Sequence, residues 1–573
     1  MKITGAQIIV KILENNGIKM VSGIPGGSIL PLYDELNRSS IQHILVRQEQ
    51  AAGFIAQGIA RSTGSVAVCM ATSGPGAMNL LTAIADARCD SIPIIAITGQ
   101  VNTNLIGTDA FQEADTFGLS FPITKHSVMV KSARELLEAV PLAFEIAKNG
   151  RPGPVLIDVP RNVQLETIEI ESEDELKNPV FEHPVLKFHV NPDEMIRKLK
   201  EMTDLIAKSK RAVLYCGGGC NSRQASEGIL SFLNNYPVPV VSSLMGLGCI
   251  PRDRSEFIGM VGMHGSYAAN AAMHDADLVI AAGVRFDDRA TGLVKQFCPD
   301  AKIIHIDIDA AEIDKIIETD VSIVADVESV MPGLSQVISE KKIKADPEWL
   351  KKIIALKEKN DSFELGRPAK ETLANPREVI SKIPEYAKQC GISEDNLIVT
   401  TDVGQHQMWA AQYYPVKKPR TFLTSGSLGT MGFGLPAAIG AGLANPDKRI
   451  VCFSGDGSIM MNIQELATLC ELNLPVTVIV FQNGTLGMVY QQQKYLFEKN
   501  YSASVFEKQP DLLAIAKGFG IEAIDADSDS LWYNKAFDLN RKNKPCFVRI
   551  SVDPEESVLP FVPGGKANID SIR

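Results

Sequence analysis

Near its C-terminal end the chain reads Val451-Cys-Phe-Ser-Gly455-Asp456-Gly457, and a second apolar run, Val478-Ile-Val-Phe-Gln, ends in Asn483. The 27 positions between Asp456 and Asn483 suit one strand–helix–strand unit. The carboxylate and the amide then fall at the carboxyl ends of neighbouring parallel strands, where open α/β sheets bind their ligands. A few hard oxygen ligands suit Mg²⁺, which keeps its other positions for water or phosphate. A simpler reading is a glycine turn whose Asp caps a helix. A second carboxylate, Glu49, follows the apolar run Ile44-Leu-Val and opens a helical pattern. Taken alone it reads as charge in a first helical turn, where Glu is stabilising.

These residues need a scaffold of parallel strands, and the chain alternates accordingly. Residues 1–165 mix helical and strand-like runs with glycine turns, the pattern of a parallel α/β sheet. A charged stretch over 166–190 reads as a linker. A second α/β block follows from about Asp193 to Leu334, with strands expected at Ala212–Cys216, Leu278–Ala282 and 303–308. A Lys- and Glu-rich helical stretch, 340–360, reads as the next linker, and a third block spans roughly 375–573. The expected fold is α/β in three domains (1–170, 190–340 and 370–573), each a mostly parallel sheet flanked by helices. The first and third blocks carry a weak repeat. Ser73-Gly-Pro-Gly76 and Ser454-Gly-Asp-Gly457 each lead a helix and then a strand opened by Pro93 or Pro475. Either all such units look alike, or two domains are related and one alone holds the metal ligands.

Bulk properties narrow the choice. At 573 residues the chain exceeds one ordinary core. Its 45% hydrophobic and 22% charged residues are those of a globular protein, and no apolar run approaches a membrane span. A net charge of −11 argues against nucleic acid as a partner. Ten scattered cysteines without a CxxC pair fit buried free thiols in a reducing cytoplasm. The N-terminus shows neither a signal peptide nor a transit segment.

Ten strings in order make the resemblance specific: Gly-Ile-Pro-Gly-Gly-Ser (23–28), Arg-Gln-Glu-Gln (47–50), Thr-Ser-Gly-Pro-Gly-Ala (72–77), Gly-Thr-Asp-Ala-Phe-Gln-Glu (107–113), Gly-Arg-Pro-Gly-Pro-Val (150–155), Gly-Met-His-Gly (262–265), Arg-Phe-Asp-Asp-Arg (285–289), Val-Gly-Gln-His-Gln-Met-Trp (403–409), Gly-Thr-Met-Gly-Phe-Gly-Leu-Pro (429–436) and Gly-Asp-Gly-Ser (455–458). On these the chain resembles the acetohydroxyacid synthase (acetolactate synthase) catalytic large subunit of the thiamine-diphosphate-dependent enzymes, in its isozyme-I type, over essentially its full length.

The resemblance implies a pyrimidine-binding domain first, a Rossmann-type FAD-binding domain in the middle and a diphosphate-binding domain last. It implies that Asp456, Asn483 and the Thr485 main-chain carbonyl hold Mg²⁺. Gly404, Gln405, His406, Gly457, Ser458 and Gly484 would line the diphosphate, and Gly429 would offer its carbonyl to the 4′-amino group. Met431 would enforce the folded cofactor shape, and Glu49 would hydrogen-bond the aminopyrimidine ring. Gln112 and Lys125 would line the pocket near the reacting carbons, Phe111 would form part of its apolar wall, and Arg289 would grip the carboxylate of the second 2-oxoacid. The FAD site would use Arg151, Gly217, Gly218, Gly219, Met263, His264, Arg285, Asp287, Asp307 and Asp326. No intact GxGxxG occurs, so that site rests on the resemblance.

The implied reaction joins the two-carbon unit of decarboxylated pyruvate to a second pyruvate or to 2-oxobutyrate, giving 2-acetolactate or 2-aceto-2-hydroxybutyrate for branched-chain amino acid synthesis. Implied partners are a second copy of the chain, in a homodimer or tetramer with sites between subunits, and a small regulatory subunit. One departure stands out. Where most members have Trp, this chain has Gln492, which predicts a weaker preference for 2-oxobutyrate. A catabolic acetolactate synthase, a pyruvate oxidase or decarboxylase, and a binding protein that has lost catalysis are the alternatives. The last predicts loss of the activating carboxylate, yet Glu49 is present.

Overall fold

Three six-stranded, all-parallel sheets organise the chain. They are seen in a computed structural model that describes residues 1–177, 190–365 and 373–573. The strands are short Val-, Ile- and Ala-rich runs buried on both faces, as parallel strands covered by helices must be. The first sheet runs Gln42–Leu45, Met20–Ile24, Ala67–Ala71, Ile94–Gln100, Val155–Pro160, His126–Met129. The third runs Phe422–Leu423, Leu397–Thr401, Arg449–Gly455, Val476–Gln482, Cys546–Ser551, Glu522–Asp525. Numbered within each domain, both orders are 2-1-3-4-6-5. The weak sequence repeat is thus a topological one: Ser73-Gly-Pro-Gly76 and Ser454-Gly-Asp-Gly457 both lie at the carboxyl end of the third strand.

The middle sheet runs Phe257–Met260, Val240–Ser242, Ala212–Cys216, Leu278–Ala282, Lys302–Asp307, Val321–Val324. That order, 3-2-1-4-5-6, is the dinucleotide-binding one, with its switch point between Ala212–Cys216 and Leu278–Ala282.

Both expected linkers need correction. Thr167–Glu169, placed in the first, is a strand paired antiparallel with Lys2–Thr4, and the Met1 ammonium donates to the Ile170 carbonyl. The remainder of that linker, 178–189, lies outside the described residues. The second linker includes part of the helix Pro347–Leu365, which docks on the middle domain. There Trp349 and Ile353, one turn apart, are buried, and the indole N–H donates to Ala212 O at 3.0 Å. A charged composition hid a narrow apolar stripe.

The first and third domains share a core. The helices Glu49–Thr63 and Gly434–Ala444 cross with their backbones in contact: a Cβ at Gly58 would lie 2.2 Å from Ala437 O, and one at Gly440 2.1 Å from Ile55 O. Ile55, Ala56, Leu435 and Ile439 continue this contact into one buried apolar cluster. All ten cysteines are free thiols, as expected, and seven are buried. Among the described residues no helix is long and apolar enough to cross a membrane.

Candidate functional site

The strand Arg449–Gly455 delivers Asp456 to the carboxyl edge of the third sheet, and the neighbouring strand Val476–Gln482 delivers Asn483 beside it. Asp456 is buried and receives only neutral donors: Gly457 N at 3.1 Å, Gly484 N at 2.8 Å and the Gln509 amide at 2.6 Å. Burial, unmatched by any cation, pushes its carboxyl above the usual range. Such a group fits a divalent cation, which would supply the missing charge. Asn483 Oδ1 faces the Thr485 N–H and hydroxyl at 3.0 and 2.9 Å, so amide oxygen and Thr485 backbone lie together. Gly484, at φ +73°, makes the turn that aims its N–H at Asp456.

His406 sits over this turn, where a Cβ at Gly455 or Gly404 would meet its ring at about 3 Å. Burial drives its pKa down to about 3, so the imidazole is neutral, and its buried Nε2 has no partner among the described residues. A buried ring nitrogen left unpaired beside a carboxylate turn fits a ligand-facing group. The Gln405 side chain is otherwise engaged, donating to Gln491 and the Glu556 carbonyl and accepting from Asn483, so it braces the Asn483 amide. The Ser458 hydroxyl donates to Val403 O at 2.6 Å.

Gly429 and Met431 belong to a loop, residues 424–432, held by side chains that sequence reasoning missed. Asp402, at the end of the strand Leu397–Thr401, accepts from Gly432 N at 2.7 Å, Val403 N at 3.0 Å and Ser454 Oγ at 3.1 Å. From the first domain, the helix Pro75–Asp90 reaches the same loop. Asp86 accepts from the hydroxyls of Ser425 and Thr430, and Asp90 from the backbone N–H groups of Gly426 and Ser427, both at 2.9 Å. Arg61 lies between the two carboxylates at 3.2 and 2.8 Å and donates to Thr424 O at 3.0 Å. Burial pushes the Asp86 carboxyl up. At Asp90 burial is outweighed by Arg61 and the loop donors, which hold it below its usual range. Only an acidic residue at a strand end signalled Asp402 in the sequence; nothing marked Asp86 or Asp90.

Burial pushes the Asp402 carboxyl up to about 6. A carboxyl whose pKa rises on folding favours the folded state below its unfolded pKa near 4, and that contribution is lost as pH climbs through 6. Asp402→Asn removes the charge and keeps one oxygen for the Gly432 and Val403 N–H groups, while its amide nitrogen can donate to the Ser454 hydroxyl in place of accepting from it. Its stability relative to the wild type is expected to rise by about 3 kcal/mol between pH 4 and pH 7.5, read as a widening gap in Tm. A gap that stays flat with pH contradicts this reading.

The first domain contributes Glu49, at the N-terminus of the helix Glu49–Thr63. Its carboxylate accepts from the Asn79 amide at 3.0 Å and borders Gly76, in the very turn that corresponds to Gly455-Asp456-Gly457. From behind, the buried Glu465 of the third domain accepts from Arg47 N at 2.9 Å and so fixes the approach to Glu49. Gln112, at φ +60°, packs its backbone against Gly74, and Phe111 beside it is 88% exposed.

Lys125 has its hydrogen-bond partners elsewhere in this chain. Its ammonium donates to the carbonyls of Ile146 and Asn149 at the end of the helix Leu136–Lys148, at 2.5 and 2.7 Å. Burial and then Arg88 lower its pKa to about 8. It caps a helix away from Gln112. One cation at the carboxyl end of this sheet is Arg161, exposed where the strand Val155–Pro160 gives way to a helix. Its neighbour Asn162 accepts from Thr103 N, at the start of the loop that carries Phe111 and Gln112.

A cavity of about 1100 Å³ opens at the switch point of the middle sheet. Of the residues expected around FAD, Arg151, Gly218, Gly219, Met263, His264, Arg285, Asp287, Asp307 and Asp326 line it. Gly217 does not: a Cβ there would lie 2.0 Å from Gly283 O, so this glycine serves the close approach of two strand ends. Asp307 ends its strand with a carboxyl pushed up to about 6, by burial first. Arg289, Met488 and Gln492 line the same cavity, which therefore reaches the third domain. The chain end lies along its wall. Phe561 stacks on His264 at 5.6 Å, and Val562 N donates to Met263 O at 2.9 Å.

Comparison with known proteins gives three consecutive domain matches. Residues 3–119 match the N-terminal TPP binding domain of thiamine pyrophosphate enzymes, 199–334 their central domain and 402–550 their C-terminal TPP binding domain. The chain is 46% identical over 572 residues to the acetolactate synthase isozyme 1 large subunit of Escherichia coli (strain K12), covering 100% of this chain and 98% of that one. It is 41% identical over 581 residues to the isozyme 2 large subunit of the same organism (99% of each). Against the acetolactate synthase large subunit of Lactococcus lactis subsp. lactis (strain IL1403) it is 41% identical over 567 residues (98% and 95%).

Proposed function

The chain belongs to the acetolactate synthase large-subunit family of thiamine-diphosphate enzymes, and from that premise we propose how its residues carry out carboligation. Two pyruvates and a proton give one 2-acetolactate and one CO₂, or one pyruvate joins 2-oxobutyrate, and no oxidant enters the balance. The observation that carries the residue assignment is the pair of equivalent turns: one bears the uncompensated carboxylate Asp456 beside Asn483, and the other borders Glu49.

Thiamine diphosphate supplies the carbanion and the electron sink for decarboxylation. Asp456, Asn483 and the Thr485 carbonyl would hold Mg²⁺, with Gly457, Ser458, Gly484, Gly404 and His406 lining the diphosphate. The Gly429 carbonyl would accept from the 4′-amino group, and Met431 would enforce the folded shape of the cofactor. Glu49 would hold a proton at the pyrimidine ring nitrogen. Arg289 would orient the acceptor carboxylate with a planar fork of donors, and Gln112 with Arg161 would border the donor side. FAD would take the cavity at the switch point, in a role that needs no net redox change.

The two halves of the thiamine site belong to different copies of the chain. Glu49 finds its side-chain partners inside its own domain, as do Asp456 and Asn483. Exposed apolar side chains ring both halves: Met78 and Phe111 on one, Leu428, Met460, Met461 and Val505 on the other. A two-fold pairing that buries both rims gives at least a homodimer. The "large subunit" in the relatives' names supports a small regulatory partner. Ten unpaired thiols support a cytoplasmic setting.

The test is product analysis with pyruvate and 2-oxobutyrate supplied together with Mg²⁺, thiamine diphosphate and FAD. Both acetohydroxyacids are expected in near-equal yield, because Gln492 offers no apolar face to the extra methyl group. One methylene in a pocket changes such a ratio by roughly 10- to 200-fold. A strong preference for 2-oxobutyrate contradicts the role given to Gln492; acetate or acetaldehyde as the main product contradicts the carboligase reading.

A further inference from the structure

Loop 424–432 has one face in the central cavity and the other in the thiamine site. Gly426 and Ser427 line the cavity, together with Asp90, which holds both, and Arg61, which holds the neighbouring Thr424. Two residues further on is Gly429, whose φ of +70° turns the chain toward Met431. Six of the nine loop residues are held: Thr424 by Arg61, Ser425 and Thr430 by Asp86, Gly426 and Ser427 by Asp90, Gly432 by Asp402, and the Ser427 hydroxyl also by Arg285. All but one of these holds come from groups fixed in buried helices or strands. The exception is the Ser427 hydroxyl, which accepts from Nη2 of Arg285, a half-buried side chain that itself lines the cavity.

We propose that Ser427 is a positioning residue through which a ligand in the central cavity tightens the thiamine site. The inference rests on the cofactor assignment above. A guanidinium has five donors, and Arg285 spends one on Ser427. An anionic or carbonyl oxygen on the remaining donors fixes that side chain, and the hydrogen bond passes the order to Ser427, Asp90 and the turn at Gly429. A side chain already ordered by one ligand no longer costs the second ligand its entropy, which makes the two bindings cooperative. Linkage requires the effect to be reciprocal, and couplings of this kind are typically about 5- to 150-fold.

The experiment uses the full chain stripped of cofactors. The Kd of thiamine diphosphate with Mg²⁺ is measured by calorimetry with and without saturating FAD, and the Kd of FAD is measured alone. In the wild type, FAD is expected to lower the thiamine diphosphate Kd at least five-fold. Ser427→Ala is expected to reduce that factor below two while its Tm and its affinity for FAD alone stay near the wild-type values. Ser427→Thr, which keeps a hydroxyl, is expected to restore the coupling. Undiminished coupling in Ser427→Ala, or two cofactors that bind the wild type independently, overturns the inference alone. A wild type that binds no FAD overturns the flavin assignment and the inference with it.

Discussion

Glu49→Gln lowers acetohydroxyacid formation by about 10²- to 10⁴-fold while leaving the affinity for thiamine diphosphate within a few-fold of the wild type. The range is that of losing one positioned proton-transfer group. Gln occupies the same volume and can still accept from the Asn79 amide, and the lost charge at a helix N-terminus costs only about 0.3–1 kcal/mol. The fold and the cofactor cradle therefore survive, and the loss falls on kcat. A variant with near wild-type kcat would remove Glu49 from the chemistry and return it to its simplest role, charge in a first helical turn.

Asp456→Asn fails at a different step. The carboxylate is the one charged ligand in the proposed set, and the remaining ligands, an amide oxygen and a main-chain carbonyl, are neutral. Removing it costs the cation its charge partner. Loss of a group that merely supports a metal ligand typically costs 10- to 100-fold in affinity, so loss of the ligand itself is expected to weaken Mg²⁺-dependent binding of thiamine diphosphate by about 100-fold or more. Calorimetry with and without Mg²⁺ reads this directly. The two variants thus separate binding from chemistry: Asp456→Asn loses the cofactor, and Glu49→Gln holds it idle. Wild-type affinity in Asp456→Asn would place the metal elsewhere.

What the sequence made legible follows from local physics. Parallel strands buried on both faces read as apolar runs, and ligands collect at their carboxyl ends, so Asp456, Asn483, Glu49 and Asp307 were visible as polar residues closing apolar runs. The repeat of Ser-Gly-x-Gly turns was visible as a pattern, and its meaning emerged from the matching strand orders. Contacts across domains were not legible. Asp86 and Asp90 sit on a helix more than 330 positions from the loop they hold, and no spacing rule reaches that far. Nor were the partners of Lys125 legible, because a lysine's long stem can turn its ammonium to a nearby helix end, a choice set by packing. Trp349 was hidden because two buried positions per helical turn pair are easily masked by lysines and glutamates on the remaining face.

The central claim is that pyruvate's two-carbon unit is joined to a second 2-oxoacid. It is tested most directly by the carbon balance of the wild-type protein on isotopically labelled pyruvate with Mg²⁺, thiamine diphosphate and FAD under argon. One CO₂ and one five-carbon acetohydroxyacid are expected for every two pyruvates consumed, with no change in the flavin spectrum. One CO₂ and one two-carbon product per pyruvate, whether acetaldehyde or acetate, would contradict it.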